Sequence, residues 1–363
     1  MTAQQLKVRL GTLSVGFTQS IQQALSSLGL SPKALFEQFE LDKPQLNQAH
    51  GRLSIARYMR LGHAATTLAQ RADFGLLMGR FSAPEHFGLA GVCAAQAPNL
   101  RAAARCLTEF EPLYAQNYRG QSQLIEDAQG AWLRFYSISP YNDYNRFVVE
   151  SVLSSWLQHL SLIAQQPVLA EQIAIEYPAP SYSACYAEYF KAPVLFAQAT
   201  NQLRLSQHSL SLSNPKHCPH TWQELLLLCR QRLQQLTKQS SLTEQVISLI
   251  AAQLKQGEPT LEQIAALLNL PSWTLRRRLA AEHTQFNQLL QQTRYALASS
   301  YIADTLLSFS EITWLLGFTS PEAFQRAFKR WSKFTPGEYR RHKLSTNAAQ
   351  SYQAADNVAA QTD

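Results

Sequence analysis

The chain has 363 residues, of which 46% are apolar and 16% charged, with a formal net charge of +7. This length and apolar content predict two globular domains with buried cores. No charged-then-apolar leader and no 18-residue apolar run is read, which excludes a signal peptide and a membrane span from the expectation. Five cysteines with no C-x-x-C pair (Cys93, Cys106, Cys185, Cys218 and Cys229) argue for free thiols in a reducing cytoplasm rather than a disulfide framework.

The first sixteen residues carry little pattern. A helix is predicted from Gly16 to Gly29, with Ile21, Leu25 and Leu28 apolar, and a short one opens at Ser31-Pro32 and runs through Phe39. Ser54 caps a longer helix to about Gln70, within which His63 reads as structural. Pro98-Asn99-Leu100 leads a helix to about Tyr114, with Ala103, Leu107 and Phe110 inward. The period then falls to two. Gln123 to Glu126 and Ala131 to Ser137 flank Asp127-Ala128-Gln129-Gly130, the pattern of a β-hairpin. Trp132, Arg134 and Tyr136 alternate with Leu133 and Phe135, and Tyr141 and Tyr144 follow. These five polar-face residues form the candidate effector site, since aromatic walls with one cation suit a small organic molecule, including a carboxylate. The plainer reading has Leu133 and Phe135 facing the core and the other face simply wet.

Phe147 to Gln165 is a long helix, Gln172 to Tyr177 a strand and Tyr182 to Phe190 a short helix. Val194 to Ala197 and Gln202 to Ser206 are predicted to pair around Asn201. The order β-β-α-β-α-β-β defines an α+β domain with an antiparallel or mixed sheet. Ser206 to His220 reads as a solvated connection; His217, Cys218 and His220 lack a fourth metal ligand at usable spacing. Trp222 to Leu236 is a leucine-rich helix that either pairs with a second chain or packs on the N-terminal domain. Thr243 to Gln256 begins an all-α region.

That region repeats one plan twice. Thr260 and Gln263 form a capping box before Leu261, Ile264, Ala265 and Leu268; after Asn269-Leu270-Pro271 a second helix runs from Ser272 to about Glu282. Leu275 and Leu279 share its inner face, while Trp273, Arg276, Arg277 and Ala280 point outward with Arg278 beside them. Ser308 and Glu311 form the second capping box, before Ile312, Leu315 and Leu316, and Gly317 ends that helix. Ser320 caps the next, with Pro321 at its first position, Phe324, Phe328 and Trp331 inside, and Glu322, Gln325, Arg326 and Lys329 outside. Phe286 to Leu306 joins the two units as one helix without Pro or Gly. Lys238 to Lys343 holds 13 basic and 8 acidic residues, an excess per residue above that of the preceding chain, which suits a polyanionic partner.

The run LRRRL (Leu275 to Leu279), then Arg294, Ala298, Ile302 and Ile312, then GFTSPEAFQRAFKRW (Gly317 to Trp331) and Thr335-Pro336 with Tyr339-Arg340 resembles the AraC/XylS family of bacterial transcription regulators. The resemblance covers about 85 residues. Pro271 stands in a usual Ser slot, so Ser272 is expected to take over the capping; His283 and Lys333 stand in usual Gly slots. LSIARYMRLGHAA, HFGLAGVCAAQAPNLRAAARCL and YFKAPVLFAQATNQLRL, within roughly residues 15–210, resemble the effector domain of one AraC-type subgroup, labelled arabinose-binding by homology.

The resemblance implies double-stranded DNA, a small-molecule effector and RNA polymerase as partners, with a homodimer left open. Each second helix then enters the major groove, the two meeting successive grooves about 34 Å apart. The expected DNA-contacting residues are Ser272, Trp273, Thr274, Arg276, Arg277 and Arg278, and Ser320, Pro321, Glu322, Gln325, Arg326, Lys329 and Arg330. Arg276 and Arg277 suit guanine, Glu322 cytosine and Trp273 a thymine methyl, whereas Arg278, Lys329 and Arg330 suit phosphate. The expected domains are an effector domain over 1–210, a linker with a helix over 211–240, the DNA-binding domain over 241–343 and a disordered tail over 344–363. No G-x-S-x-G, H-E-x-x-H or phosphate-cradling loop occurs, so no enzyme, cofactor or metal is expected. The competing reading is DNA targeting fused to a metal-binding or enzymatic N-terminal module.

Overall fold

The computed structural model describes residues 11–342, other than 40, 42–45, 47, 49–50, 118, 240 and 305–306. The expected tail, Ser240 at the expected boundary and Leu306 at the end of the joining helix lie outside them. The chain forms two compact units that divide between Thr237 and Lys238.

In the first unit, helices α1 (Phe17–Ser27), α2 (Lys33–Gln38) and α3 (Ile55–Ala69) form where the apolar period placed them. Ser54 caps α3 by accepting from the Arg57 N–H. Strands β1 (Gly11–Ser14), β2 (Arg52–Ser54) and β3 (Ala115–Asn117) make a small antiparallel sheet in the order β2-β1-β3. Three short segments so far apart in sequence leave no alternation to read, and this sheet has no counterpart in the expectations.

Helices α4 (Phe74–Arg80), α5 (Gly88–Ala95), α6 (Leu100–Glu109) and α7 (Glu111–Tyr114) precede the hairpin. The hairpin is β4 (Gln123–Asp127) with β5 (Gly130–Phe135). Asp127 Oδ1 makes the turn by accepting the N–H groups of Gln129 and Gly130 at 2.9 and 3.1 Å. Gly130 is required by close approach: a Cβ there would stand 2.0 Å from the Leu205 carbonyl oxygen.

The larger sheet is mixed, in the order β4-β5-β8-β6-β7, with β6 (Gln172–Ala174), β7 (Val194–Leu195) and β8 (Asn201–Ser206). The two segments expected to pair around Asn201 do not pair. β8 runs antiparallel to both β5 and β6, and β7 lies parallel to β6 on its far side. The chain after β7 follows 175–177, Gln198 N–H donating to Ile175 O and Ala197 N–H to Tyr177 O, before crossing to the other edge of β6.

Helix α8 (Arg146–Ala164) is the core of this unit. By length and composition it is apolar enough to cross a membrane, against the expectation of no membrane span, yet 72% of its apolar window is buried within the fold. Helix α9 (Ala184–Phe190) and the short α10 (Gln207–Ser211) complete the cover. The stretch expected as a solvated linker is tied down instead. Asn214 Nδ2 donates to Ala95 O and Ala97 O, and His217 Nδ1 lies 2.7 Å from Gln96 O. Helix α11 (Pro219–Gln239) then lays Cys229, Trp222, Leu225, Leu226 and Leu233 on the core.

The second unit is helical: α12 (Leu242–Gln253), α13 (Leu261–Leu267), α14 (Ser272–Ala281), α15 (Phe286–Asp304), α16 (Phe309–Leu315), α17 (Pro321–Ser332) and α18 over 336–342. Both expected capping boxes form, Thr260 with Gln263 and Ser308 with Glu311. Ser272 does not cap α14. It is the first helical residue, Pro271 is the N-cap, and no side chain bonds the open N–H groups there. Proline's fixed φ leaves Ser272 inside the turn, where its hydroxyl is past the capping position.

His283 and Lys333 adopt the left-handed conformation of the glycines they replace, at φ 57° and 69°. Lys333→Gly is expected to stabilise the second unit by about 0.5–1 kcal/mol, because the left-handed penalty on a Cβ-bearing residue outweighs the chain entropy glycine adds. Urea unfolding of the full chain checks this, and an unshifted midpoint for the second unit would refute it.

Candidate DNA-binding surface and effector cavity

Helix α14 turns Leu275 and Leu279 into the core and leaves Arg276, Arg277 and Arg278 exposed, with Trp273 64% exposed. The Arg277 guanidinium lies 5.6 Å from the Trp273 ring centroid, a cation–π contact that orients both on the outer face. Thr274 differs from the expectation: it is buried among the inward residues, and Ser272 is half-buried. Helix α17 buries Phe324 and Phe328 fully and exposes Glu322, Gln325, Arg326, Lys329 and Arg330. Ser320 and Pro321 are half-buried, and the Ser320 hydroxyl is occupied in capping Ala323 N–H. The Glu322 carboxyl is held below its usual range by its own backbone N–H and by Ser320, so it is an acceptor at neutral pH.

Both helix-turn-helix units are fixed to α15 by one buried arginine. Arg294 donates from Nε to Leu316 O, from Nη2 to Gly317 O and from Nη1 to Glu258 Oε2, each at 2.8 Å, and its guanidinium stacks 4.4 Å from the Phe318 ring centroid. The two carbonyls lie just past the C-terminus of α16, where helix groups lack internal partners. Gly317 is left-handed at φ 65°, and a Cβ there would meet Leu254 O and the Gly257 carbonyl carbon at 2.9 Å. The segment after α12 that leads into the first helical pair therefore rests directly on the turn of the second.

The five residues expected to form an effector site do not converge. Trp132 lies in an open cleft, stacked on Arg204, which forks onto Asp127 at 2.6 and 2.7 Å. Arg204 bonding holds the Asp127 carboxyl down to about 2, so this ion pair is complete without a ligand. Arg134 donates to Gln202 at 2.9 Å. Tyr141 bonds Glu176 and accepts from Asn201 Nδ2 at 2.6 Å, while Tyr144 stacks on His63 at 3.7 Å. Only Tyr136 reaches an enclosed space.

That space is a cavity of about 60 Å³ between the small sheet, α1, α8 and the end of β5. Phe17, Phe87, Tyr114, Phe135, Tyr136 and Trp156 supply aromatic walls, and among the described residues Glu111 is the one charged group on it. Glu111 is buried, and both its oxygens accept from Ser122, from the N–H and from Oγ. Burial pushes its carboxyl up to about 7. The only advance signal of Glu111 is its place in Phe110-Glu111-Pro112-Leu113-Tyr114, an acid amid apolar residues. Among the described residues no group of three or more His, Cys, Asp or Glu is placed to hold a metal ion.

Residues 29–214 match the model of the N-terminal arabinose-binding domain of AraC transcription regulators, and residues 264–342 match a helix-turn-helix domain. The chain belongs to the AraC-type transcription regulators and is a sequence-specific DNA-binding regulator of that type. It is 27% identical over 327 residues to the ornithine utilization regulator of Pseudomonas aeruginosa, covering 90% of this chain and 95% of that one. It is 25% identical over 329 residues to the regulator VirS of Mycobacterium tuberculosis, covering 90% and 94%. The crystal structure of the transcriptional regulator CdpR from Pseudomonas aeruginosa covers 90% of this chain and 98% of its own at 18% identity and a TM-score of 0.42. The competing reading of an enzymatic or metal-binding N-terminal module finds no support.

Proposed function

We propose that the chain is a cytoplasmic regulator that reads DNA with α14 and α17 and changes its output when a small organic molecule occupies the first unit. The observation that carries this is the pair of helices whose apolar faces are buried and whose outer faces present Trp273, Arg276 and Arg277 on one and Glu322, Gln325 and Arg326 on the other. Arg278, Lys329 and Arg330 serve the phosphates. Contact with RNA polymerase belongs to the same reading. So does a homodimer, for which α11 offers Leu227 and Leu228 at 57% and 49% exposure. The N-terminal match and the relative named for ornithine utilization support a metabolite effector.

Arg277→Ala is expected to weaken specific binding by about 1–3 kcal/mol and to relax one base position, while Lys329→Ala weakens all sequences alike. Anisotropy titrations of the full chain on duplexes selected from a random library, at fixed salt, measure both. Equal loss of specific and non-specific binding in Arg277→Ala would sink the base-reading role.

A further inference from the structure

Glu111 has no cationic side chain bonded to it among the described residues; both its hydrogen-bond donors come from Ser122. A buried carboxyl without a counter-charge is costly unless something compensates it. Burial accordingly raises its proton affinity. The rings on the lining form two contacting groups, Phe17 to Phe87 at 4.8 Å with Phe87 to Tyr114 at 4.9 Å, and Phe135 to Tyr136 at 4.3 Å between centroids. Ring faces carry negative potential and attract cations, most strongly where water is excluded. Two of the hydroxyls nearby already donate elsewhere and a third accepts. Tyr114 donates to Leu107 O, Asn117 donates to Tyr136 and Ser151 donates to Val148 O. A sugar would therefore find few free partners, and an anion would face Glu111 with no basic group on the lining.

We propose that this cavity is the effector site and that its ligand is a small organic cation, an alkylammonium whose nitrogen meets Glu111 and whose carbons lie against Phe17, Tyr114 and Tyr136. The assignment rests on the effector-responsive reading above. A cavity of about 60 Å³ holds roughly four to six water-sized volumes, the size of a short alkylamine or of the ammonium end of a longer molecule.

The test is calorimetric titration of the full chain with n-butylammonium, 1-butanol and butyrate, which differ in charge at nearly constant size. Saturable n-butylammonium binding, at least tenfold tighter than 1-butanol and with none for butyrate, is the expected result. Glu111→Gln should reduce n-butylammonium to the level of 1-butanol. Ala115→Leu, which narrows the cavity and keeps the carboxyl, should remove the binding of both, so the test survives poor folding of the first variant. Equal binding of 1-butanol or butyrate, or no binding of n-butylammonium, overturns the proposal. DNA affinity is measured separately on the selected duplex. Cation binding that leaves DNA affinity and transcription unchanged overturns the effector reading and keeps the site; DNA binding that persists with no cation site overturns the site and keeps the regulator.

Discussion

Arg294→Ala is expected to destabilise the second unit by about 2–6 kcal/mol, the cost of leaving two buried carbonyls without their donor at ~1–3 kcal/mol each. The side chain is only 3% exposed, whereas its partner Glu258 is 61% exposed. Removing the arginine thus leaves Glu258 able to return to water. The main loss falls on the Leu316 and Gly317 carbonyls, which are left without their donor. Arg294→Lys should recover only part of this, because one ammonium cannot serve three acceptors spread across a planar fork. Native-state hydrogen exchange on the full chain resolves the effect by segment, and amides of 309–332 should lose protection first. Unchanged exchange there would mean that the arginine is a passenger in an already rigid packing.

The second large effect is Phe324→Ala. Phe324 is fully buried, 5.8 Å from both Phe318 and Phe328 between centroids. Phe328 in turn meets Tyr295 of α15 at 6.0 Å and Tyr339 of α18 at 5.3 Å. Truncation removes the ring that starts this chain of contacts, and a loss of about 3–5 kcal/mol follows from transfer and cavity together. Calorimetry of the full chain should show the second unit's transition falling or vanishing while that of the first stays in place. An unmoved transition would mean that α17 is held by its other contacts, Trp331 and Ala327 among them.

The second unit was the more legible because its signals are local. Capping boxes at Thr260 and Ser308, the glycine at 317 and the four-residue spacing of Leu275 with Leu279 and Phe324 with Phe328 all lie within single helices. Arg294 illustrates the limit. The residue was legible as part of a family pattern, but its three acceptors sit 22, 23 and 36 positions away, beyond the reach of any periodicity. The first unit depends on such distant meetings throughout. The alternation around Trp132 correctly placed Leu133 and Phe135 inside, yet alternation says nothing about which distant residues complete a pocket. The cavity takes walls from Phe17, Phe87 and Trp156, which no window of sequence contains together.

The order β4-β5-β8-β6-β7 has a consequence for synthesis. The strand at the centre of the sheet is the last one made. Until Asn201–Ser206 leaves the ribosome, β5 and β6 each present an unsatisfied edge, and the apolar helix Arg146–Ala164 waits without its full cover. At about 5–20 residues per second that interval lasts a few seconds. Open edges beside a helix apolar enough for a membrane are the conditions under which nascent chains stick to one another or recruit chaperones. The finished regulator hides these surfaces; the half-made one cannot, and the time taken to translate residues 165–206 is the time for which they stay open.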